Sequence, residues 1–277
     1  RELNSAGTVI LSDGEITREY HDYPTVYKYQ ASDSLVAEVM EHYVSSGTVS
    51  SQLFMKRTAD VIGVFSPVGR CGKTCFALTL GQILAVSRSV LYLNLESFAG
   101  FEELMGKEFT SDISDVMYFV RQDRGNAIFK INAILQHLGK LDYVPPAYST
   151  EDLQEVIPEE WLKMLDEVTS AGGYQTVILD MGGSVQERLG LLSACSRIYS
   201  PVCKGTCSEA KIRQYEKLLE DMDGGDILEK TSYLMLPFAE PDGEGEYFFE
   251  RLTEGEMGDY VRDLLQNEGM EHEQRTV

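Results

Sequence analysis

The stretch DVIGVFSPVGRCGKTCFALTLGQILA, from Asp60 to Ala85, decides the fold of this 277-residue chain. It begins with a short apolar run, continues through a loop of mostly small residues, and ends in a segment whose apolar residues recur at helical spacing. This order predicts a buried strand, a tight loop and a helix. Such a loop favours phosphate binding, because backbone N–H groups and the positive end of the helix point at the same anion.

The residue types in the loop favour a nucleoside triphosphate. Gly69 and Gly72 let the backbone approach phosphates closely, Lys73 can reach the β and γ phosphate oxygens, and the Thr74 hydroxyl is placed to bind Mg²⁺. The loop departs from the usual G-x-x-x-x-G-K-[ST] pattern, since Pro67 occupies the position of the first glycine. The alternative is an ordinary strand-to-helix turn with a chance GKT, and the order of the elements argues against it.

The segment SPVGRCGKTC resembles the deviant phosphate loop of the ParA/MinD ATPases, which usually reads SxKGGVGKTT. Val68 stands in the place of that family's signature lysine, and Arg70 replaces a glycine. The resemblance implies a site for ATP and Mg²⁺ built from the following residues: Val68, Gly69, Arg70, Cys71, Gly72, Lys73, Thr74 and Cys75.

Two later segments also resemble motifs of this family, in the same order along the chain. SVLYLNLE is similar to the second-strand motif, which usually ends D-x-D and here ends with Asn94 and Glu96. TVILDMGGS is similar to the switch strand and places Asp180 at the position linked to Mg²⁺. The resemblance therefore implies that Thr74 and Asp180 lie on the metal side of the nucleotide. It extends from about Thr58 to Leu265.

The same resemblance implies catalytic roles for three residues. Lys73 would stabilise the phosphates, Glu96 would orient or activate the attacking water, and Arg70 would partly replace the missing signature lysine. Because Val68 has no charge and Asn94 is not a carboxylate, the binding residues match the family better than the hydrolytic ones. We expect a weak ATPase at most, and ATP is expected to act mainly as a ligand that promotes dimerisation.

The chain is strongly acidic. Its 24 Lys and Arg residues stand against 45 Asp and Glu residues, and the formal net charge is −21. Long-range repulsion of this sign opposes binding to nucleic acids and to anionic membrane surfaces. We therefore expect no nucleic-acid partner and no direct insertion into a membrane. A soluble cytoplasmic protein is expected, since no apolar run has the length of a membrane span and the first residues do not resemble a signal peptide.

The cysteines and histidines do not suggest a metal centre. The five cysteines contain no C-x-x-C pair and the four histidines are scattered, so a zinc site is not expected. Reduced thiols used as small apolar residues are the simplest interpretation. Cys71 is the exception, because a thiol beside a helix N-terminus and a lysine is expected to have a lowered pKa.

The first 46 residues form a separate segment in this interpretation. Short strands are predicted at Thr8–Ser12 and Thr25–Tyr29, followed by a helix at Ser32–Tyr43. Their order resembles the last third of a response-regulator receiver domain. A small αβ extension of the larger domain is the alternative, and both remain open. Residues 47–58, rich in Ser and Thr, are the predicted linker.

Residues 59–266 are predicted to form the main domain. Strand and helix patterns alternate through it, which indicates an α/β fold with a mainly parallel sheet flanked by helices. Helical spacing is extended through NAIFKINAILQHLGK, and Tyr143–Tyr148 is expected to be a loop. The last buried strand is placed at Tyr233–Pro237, near the site of the purine base in the related family. A capping box formed by Thr253 and Glu256 would start the final helix, Gly255–Gln266.

Residues 267–277 are expected to be a polar, disordered tail. The helix predicted at Ser208–Met222 carries Lys211, Arg213 and Lys217, which could contact DNA in ParA-like proteins. Acidic residues interleave with these cations, and that pattern is more typical of a solvated helix.

Three kinds of function are compatible with these features of the sequence. The preferred one is a nucleotide-dependent, homodimeric localisation or scaffold factor, because a receiver-like segment before a degenerate phosphate loop most resembles the TadZ/CpaE-type proteins. These position pilus-assembly or secretion machinery, so protein partners and a location at a cell pole are expected. The alternatives are an active partitioning ATPase and a tyrosine autokinase of the polysaccharide-export type. The acidic charge opposes the first alternative, and only Tyr247 and Tyr260 lie near the C-terminus to support the second.

Overall fold

The computed structural model describes residues 10–12, 25–28, 59–122, 127–153, 156–171, 173–183, 185–237 and 245–275. The chain divides into two compact units, Arg1–Arg57 and Thr58–Val277. In the first unit, strands β1 (Ile10–Ser12) and β2 (Thr25–Tyr27) pair in parallel. Both predicted strands are thus present. The helix predicted at Ser32–Tyr43 and the linker predicted at residues 47–58 lie outside the described residues, and the receiver-like identity stays a prediction.

The second unit has a seven-stranded sheet. Its strands are β3 (Asp60–Phe65), β4 (Val90–Leu95), β5 (Gln136–Leu138), β6 (Leu141–Val144), β7 (Thr176–Met181), β8 (Arg197–Pro201) and β9 (Thr231–Leu234). The order across the sheet is β5-β6-β4-β7-β3-β8-β9. Only β5 runs antiparallel to its neighbour in this sheet. The predicted α/β class with a mainly parallel sheet is confirmed.

Helices cover both faces of the sheet. In chain order they are α1 (Lys73–Ala85), α2 (Phe101–Met105), α3 (Ile113–Arg121), α4 (Ala127–Ile134), α5 (Pro158–Ala171), α6 (Val185–Ala194), α7 (Thr206–Asp221), α8 (Gly225–Glu229), α9 (Gly245–Glu254) and α10 (Glu256–Arg275), and a 3₁₀ turn spans Thr150–Leu153. Helices α1, α2, α9 and α10 bury their apolar residues on one face, and α3 to α8 bury theirs on the other. Within the described residues, no helix combines the length and apolar character needed to cross a bilayer.

Strand alternation explains how polar residues reach one end of this sheet. In β4, Leu91, Leu93 and Leu95 face the α3 to α8 layer, so the intervening residues Tyr92 and Asn94 face the α1 side. The register pairs Asn94 directly with Asp180 of β7. Parallel pairing therefore brings three polar side chains together next to the start of α1.

Two stretches in the middle of the chain differ from the prediction. Helical spacing extended through residues 126–140, but α4 ends at Ile134 and the chain then forms the β5–β6 hairpin. Gly139, at φ 59°, permits the left-handed turn that reverses the chain. Tyr143 and Val144, assigned to a loop, are buried at the end of β6. The apolar residues of this stretch fit both the spacing of a helix and the alternation of a strand. The chain forms the hairpin because these residues can be buried against α1 only as a strand.

The C-terminal region also differs. The last strand covers Thr231–Leu234 rather than Tyr233–Pro237, and it lies at the sheet edge with Tyr233 partly exposed. The predicted capping box is wrong, because Thr253 belongs to α9 and its hydroxyl donates to the Phe249 and Glu250 carbonyls. The predicted disordered tail is wrong as far as Arg275, which ends α10.

Contacts of Glu268 explain why the last helix continues past the predicted end. The Glu268 carboxylate forms an ion pair with Arg197 and accepts a hydrogen bond from the Tyr199 hydroxyl at 2.7 Å. Both partners lie on β8, far away in sequence. Local composition alone therefore could not indicate that this polar segment is anchored.

Candidate functional site

Ser66 ties the loop between β3 and α1 both to β8 and to itself. The Ser66 hydroxyl donates to the Pro201 carbonyl at 2.6 Å and accepts from the Val68 N–H at 3.0 Å. Gly72 precedes α1 with φ 80° and ψ 21°, a left-handed conformation that glycine adopts without a steric penalty. The loop thus delivers the chain directly into the N-terminus of α1, as the sequence predicts.

Arg70 also has a left-handed backbone, with φ 58°. A residue with a Cβ is destabilised by roughly 1 kcal/mol or more in this conformation. Gly69, in contrast, does not have a positive φ, and an added Cβ there would meet no atom within 4 Å. The Arg70 side chain is exposed and lines the cleft described below.

The Lys73 ammonium joins the ends of three structural elements. It lies at the start of α1, forms an ion pair with the Glu96 carboxylate after β4, and donates to the Met181 carbonyl at the end of β7 at 2.9 Å. Glu96 packs closely over Gly182, where an added Cβ would collide with the carboxylate. A side chain at position 182 would therefore displace Glu96 from Lys73.

Asp180 is the central buried charge of the site, with no exposed surface. Its Oδ2 accepts hydrogen bonds from the Tyr92 hydroxyl at 2.9 Å and from Asn94 Nδ2 at 3.3 Å. Burial raises the pKa of Asp180 to about 6, although the Lys73 ammonium and the nearby Thr74 hydroxyl lower it. The other oxygen, Oδ1, is buried without a hydrogen-bond partner among the described residues.

This arrangement fits a divalent cation held jointly by protein and phosphate. A buried carboxylate oxygen without a donor, next to a hydroxyl and aligned by two donors on its other oxygen, has the chemistry of a Mg²⁺ ligand or of an acceptor for a metal-bound water. No group of three or more His, Cys, Asp or Glu residues forms a complete metal site among the described residues. Magnesium commonly needs no such group, since it is often held by one or two protein oxygens together with nucleotide phosphates.

The buried charge of Asp180 predicts a pH-dependent gain of stability in the Asp180→Asn variant. The unfolded chain ionises this carboxyl near 3.8 and the folded protein only near 6, so stability falls as the pH rises from about 4 to 6. The difference corresponds to about 3 kcal/mol. Without nucleotide or divalent metal, the variant should exceed the wild type in free energy of unfolding by up to that amount at pH 8, and match it near pH 4.

Urea denaturation in a chelating buffer across this pH range measures the difference. Asp221→Asn is a suitable control, because that carboxylate is exposed on α7. A wild type that gains stability over Asp180→Asn as the pH rises would contradict the assignment of Asp180 as a desolvated charge.

A cleft of about 490 Å³ opens above the loop. Its lining residues are Arg70, Cys71, Gly72, Lys73, Thr74, Cys75, Glu96, Phe98, Pro237, Leu252 and Met257. Most predicted site residues are thus brought together. Val68, Gly69 and Asp180 do not line it, and the Val68 side chain is buried in the protein. The lining combines polar and charged groups with apolar side chains, among them those of the last three residues.

The expectation for Cys71 is wrong. Burial raises the pKa of its thiol, and this outweighs the lowering effects of Ser66 and Lys73. The thiol donates a hydrogen bond to the Val68 carbonyl at 2.9 Å. Cys71 therefore closes the loop internally and is not an activated nucleophile.

Sequence reasoning missed several residues of the site. No sequence motif marks Tyr92, although its position two residues before Asn94 on a strand places both side chains on one face of the sheet. Arg188 was also missed: it donates to the carbonyls of Leu95 at 3.1 Å and Gly182 at 3.0 Å, and so ties the ends of β4 and β7 together. No local motif marks Arg188, because its partners are distant in sequence.

Comparisons with known proteins support the fold. No family model matches the sequence, and no curated protein matches it significantly. Among solved structures, a ParA family ATPase from Chlorobium tepidum TLS has 18% sequence identity and a TM-score of 0.54, over 71% of this chain and 80% of the other.

Two further structures show the same similarity. MinD in the MinC:MinD cell division complex of Aquifex aeolicus has 20% identity and a TM-score of 0.50, over 75% of this chain and 78% of the other. The apo form of McdA from Cyanthece has 13% identity and a TM-score of 0.51, over 71% of this chain and 81% of the other. At these identities the comparison establishes the fold, which is the α/β fold of the ParA/MinD P-loop NTPases.

Proposed function

We propose that this protein binds ATP·Mg²⁺ in the cleft above the β3–α1 loop and uses the nucleotide to control its dimerisation. The observation that carries the proposal is the convergence of Lys73, Glu96 and Asp180 at the N-terminus of α1. This convergence lies at the carboxyl ends of adjacent parallel strands, where ligands bind in open α/β sheets.

Different residues of the cleft would contact different parts of the nucleotide. The loop N–H groups and Lys73 would hold the phosphates, since a charged donor and a helix N-terminus both favour anions. The apolar side chains of Pro237, Leu252 and Met257 would contact the base. Phosphate binding would draw Lys73 away from Glu96 and free that carboxylate to orient a water.

Thr74 and Asp180 would hold the magnesium ion. When bound, Mg²⁺ neutralises charge on the phosphate oxygens. Tyr92 and Asn94 fix the orientation of the Asp180 carboxylate through Oδ2 and leave Oδ1 directed away from these two donors. They are thus positioning residues for the proposed metal site.

The cellular role we propose is that of a localisation or scaffold factor for pilus-assembly or secretion machinery, of the TadZ/CpaE type, acting in the cytoplasm at a cell pole. This finer assignment rests on two features of the sequence, the receiver-like first segment and the replacement of the signature lysine by Val68. Such a factor would need nucleotide-dependent association more than rapid hydrolysis.

Size-exclusion chromatography with light scattering tests the proposal. We expect the mass to shift from monomer to dimer when ATP and Mg²⁺ are added, and we expect no shift for Lys73→Ala. Lys140→Ala is a matched control, because this exposed lysine lies in the β5–β6 turn and does not line the cleft. A mass that is the same with and without ATP, in a protein shown to bind ATP, would refute nucleotide-controlled dimerisation.

A further inference from the structure

A second cavity, which we call the aromatic groove, lies beside the cleft and has a volume of about 320 Å³. Four aromatic side chains line it: Phe98, Phe101, Phe109 and Tyr148. Phe101 is buried at the floor, whereas Phe98 is 95% exposed and Tyr148 is 85% exposed. Large aromatic side chains so fully exposed beside a concave surface are typical of protein interaction sites.

The charged residues that line the groove are all acidic. Glu102, Glu103 and Asp112 line it, and no lysine, arginine or histidine of the described residues does. Lys107 contacts the Phe109 ring at 5.7 Å, but it lines a neighbouring depression rather than the groove. The aromatic groove therefore combines apolar surface with a local negative potential.

Two of these carboxylates are fixed by the backbone. Glu102 accepts a hydrogen bond from the Phe109 N–H at 3.0 Å, and Asp112 accepts from the Tyr148 N–H at 3.1 Å. These bonds hold aromatic residues and acidic groups in fixed relative positions. Glu103 is exposed and is available for an ion pair with a bound partner.

We propose that the aromatic groove binds a basic, apolar segment of a partner protein. A guanidinium group can stack on the exposed rings of Phe98 and Tyr148 and pair with Glu103, while a neighbouring aliphatic side chain packs on Phe101. Nucleic acids and anionic lipids are disfavoured because their phosphates would approach three carboxylates.

The aromatic groove is connected to the proposed nucleotide site. Phe98 lines both cavities and lies two residues after Glu96. The Phe101 ring stacks on Tyr92, with centroids 5.9 Å apart and planes 9° apart, and Tyr92 donates to Asp180. If the proposed ATP site is correct, on which this part of the inference rests, nucleotide binding would change the affinity of the groove for its partner.

Fluorescence anisotropy of labelled peptides with the full chain tests the proposal. The probe is a short fluorescein-labelled peptide of alternating arginine and leucine, and the controls replace arginine by citrulline, arginine by lysine, or leucine by serine. We expect roughly 10-fold weaker binding for the citrulline and serine peptides and a smaller loss for the lysine peptide.

Variants locate the site. Phe98→Ala and Glu103→Gln should each weaken binding of the arginine–leucine peptide, Phe98→Ala by roughly 10-fold. Tyr118→Ala removes an exposed aromatic residue outside the groove, and Glu220→Gln removes an exposed charge on α7, so neither should change binding. Phe98→Leu should retain more affinity than Phe98→Ala.

Equal binding of the arginine and citrulline peptides, or equal losses in Glu103→Gln and Glu220→Gln, would overturn the proposal. So would a Phe98→Ala variant that binds the peptide normally but no longer dimerises with ATP, because the groove would then serve a second copy. Peptide binding without nucleotide tests the groove alone. A peptide that binds equally with and without ATP would overturn only the link to the nucleotide site.

Discussion

The Lys73→Ala variant is expected to bind ATP roughly 30- to 150-fold more weakly than the wild type. The change removes a charge-assisted donor from the phosphates, and such interactions contribute about 2 to 3 kcal/mol when they are partly shielded from water. Lys73 is such a group, since its side chain is 13% exposed. Isothermal titration calorimetry with Mg²⁺ and a non-hydrolysable ATP analogue measures the change.

Glu96→Gln provides the matched comparison. It keeps the shape of the side chain but weakens its hold on Lys73, so the affinity for the analogue should rise by a few-fold. Lys140→Ala should bind like the wild type. Unchanged affinity in Lys73→Ala, with a circular dichroism spectrum like that of the wild type, would refute the phosphate-binding role of this lysine.

The wild-type protein is expected to hydrolyse ATP with a turnover on the order of 10⁻³ s⁻¹. An ordinary ATPase has a turnover of about 1 s⁻¹. A cation that stabilises the transferred phosphoryl group typically raises the rate about 10³-fold or more, so an ATPase without that cation is slower by this factor. Val68 supplies no charge, and its side chain is buried and only 6% exposed, so it cannot reach another molecule. Phosphate release, corrected for the Lys73→Ala background, measures the turnover.

Arg70→Gly separates two roles of the arginine. Glycine relieves the left-handed backbone, so the free energy of unfolding should rise by about 1 kcal/mol. If Arg70 supplies part of the missing positive charge, the residual turnover should fall in the same variant. A turnover of about 1 s⁻¹ or faster in the wild type would contradict weak hydrolysis, and unchanged turnover in Arg70→Gly would exclude Arg70 from catalysis.

Local patterns predicted the backbone structure of the β3–α1 loop. The β3–α1 loop combines an apolar strand, small residues and helical spacing within 26 consecutive residues, so its structure follows from short-range preferences. Glu96 and Asp180 were also placed correctly at strand ends that meet. Parallel strands bring such ends to one edge of a sheet without any knowledge of the detailed packing.

Contacts between segments that are distant in sequence determine the features that sequence patterns did not predict. Asn94 replaces a carboxylate of the family motif that it resembles. The β4–β7 register places Asn94 beside Asp180, and its amide donates a hydrogen bond that an ionised carboxylate could not donate. The β5–β6 hairpin has apolar residues that fit both a helix and a strand, and only burial against α1 distinguishes them. Leu252 and Met257 reach the cleft because α9 and α10 pack on α1, which no local pattern encodes.

The contribution of α9 and α10 to the cleft also bears on how the protein is made. Helix α1 and the β3–α1 loop leave the ribosome early, but Leu252 and Met257, which line the cleft, are translated about 180 residues later. Until then α1 would expose the face that these helices cover. The cleft is therefore incomplete until α9 and α10 have emerged and packed on α1.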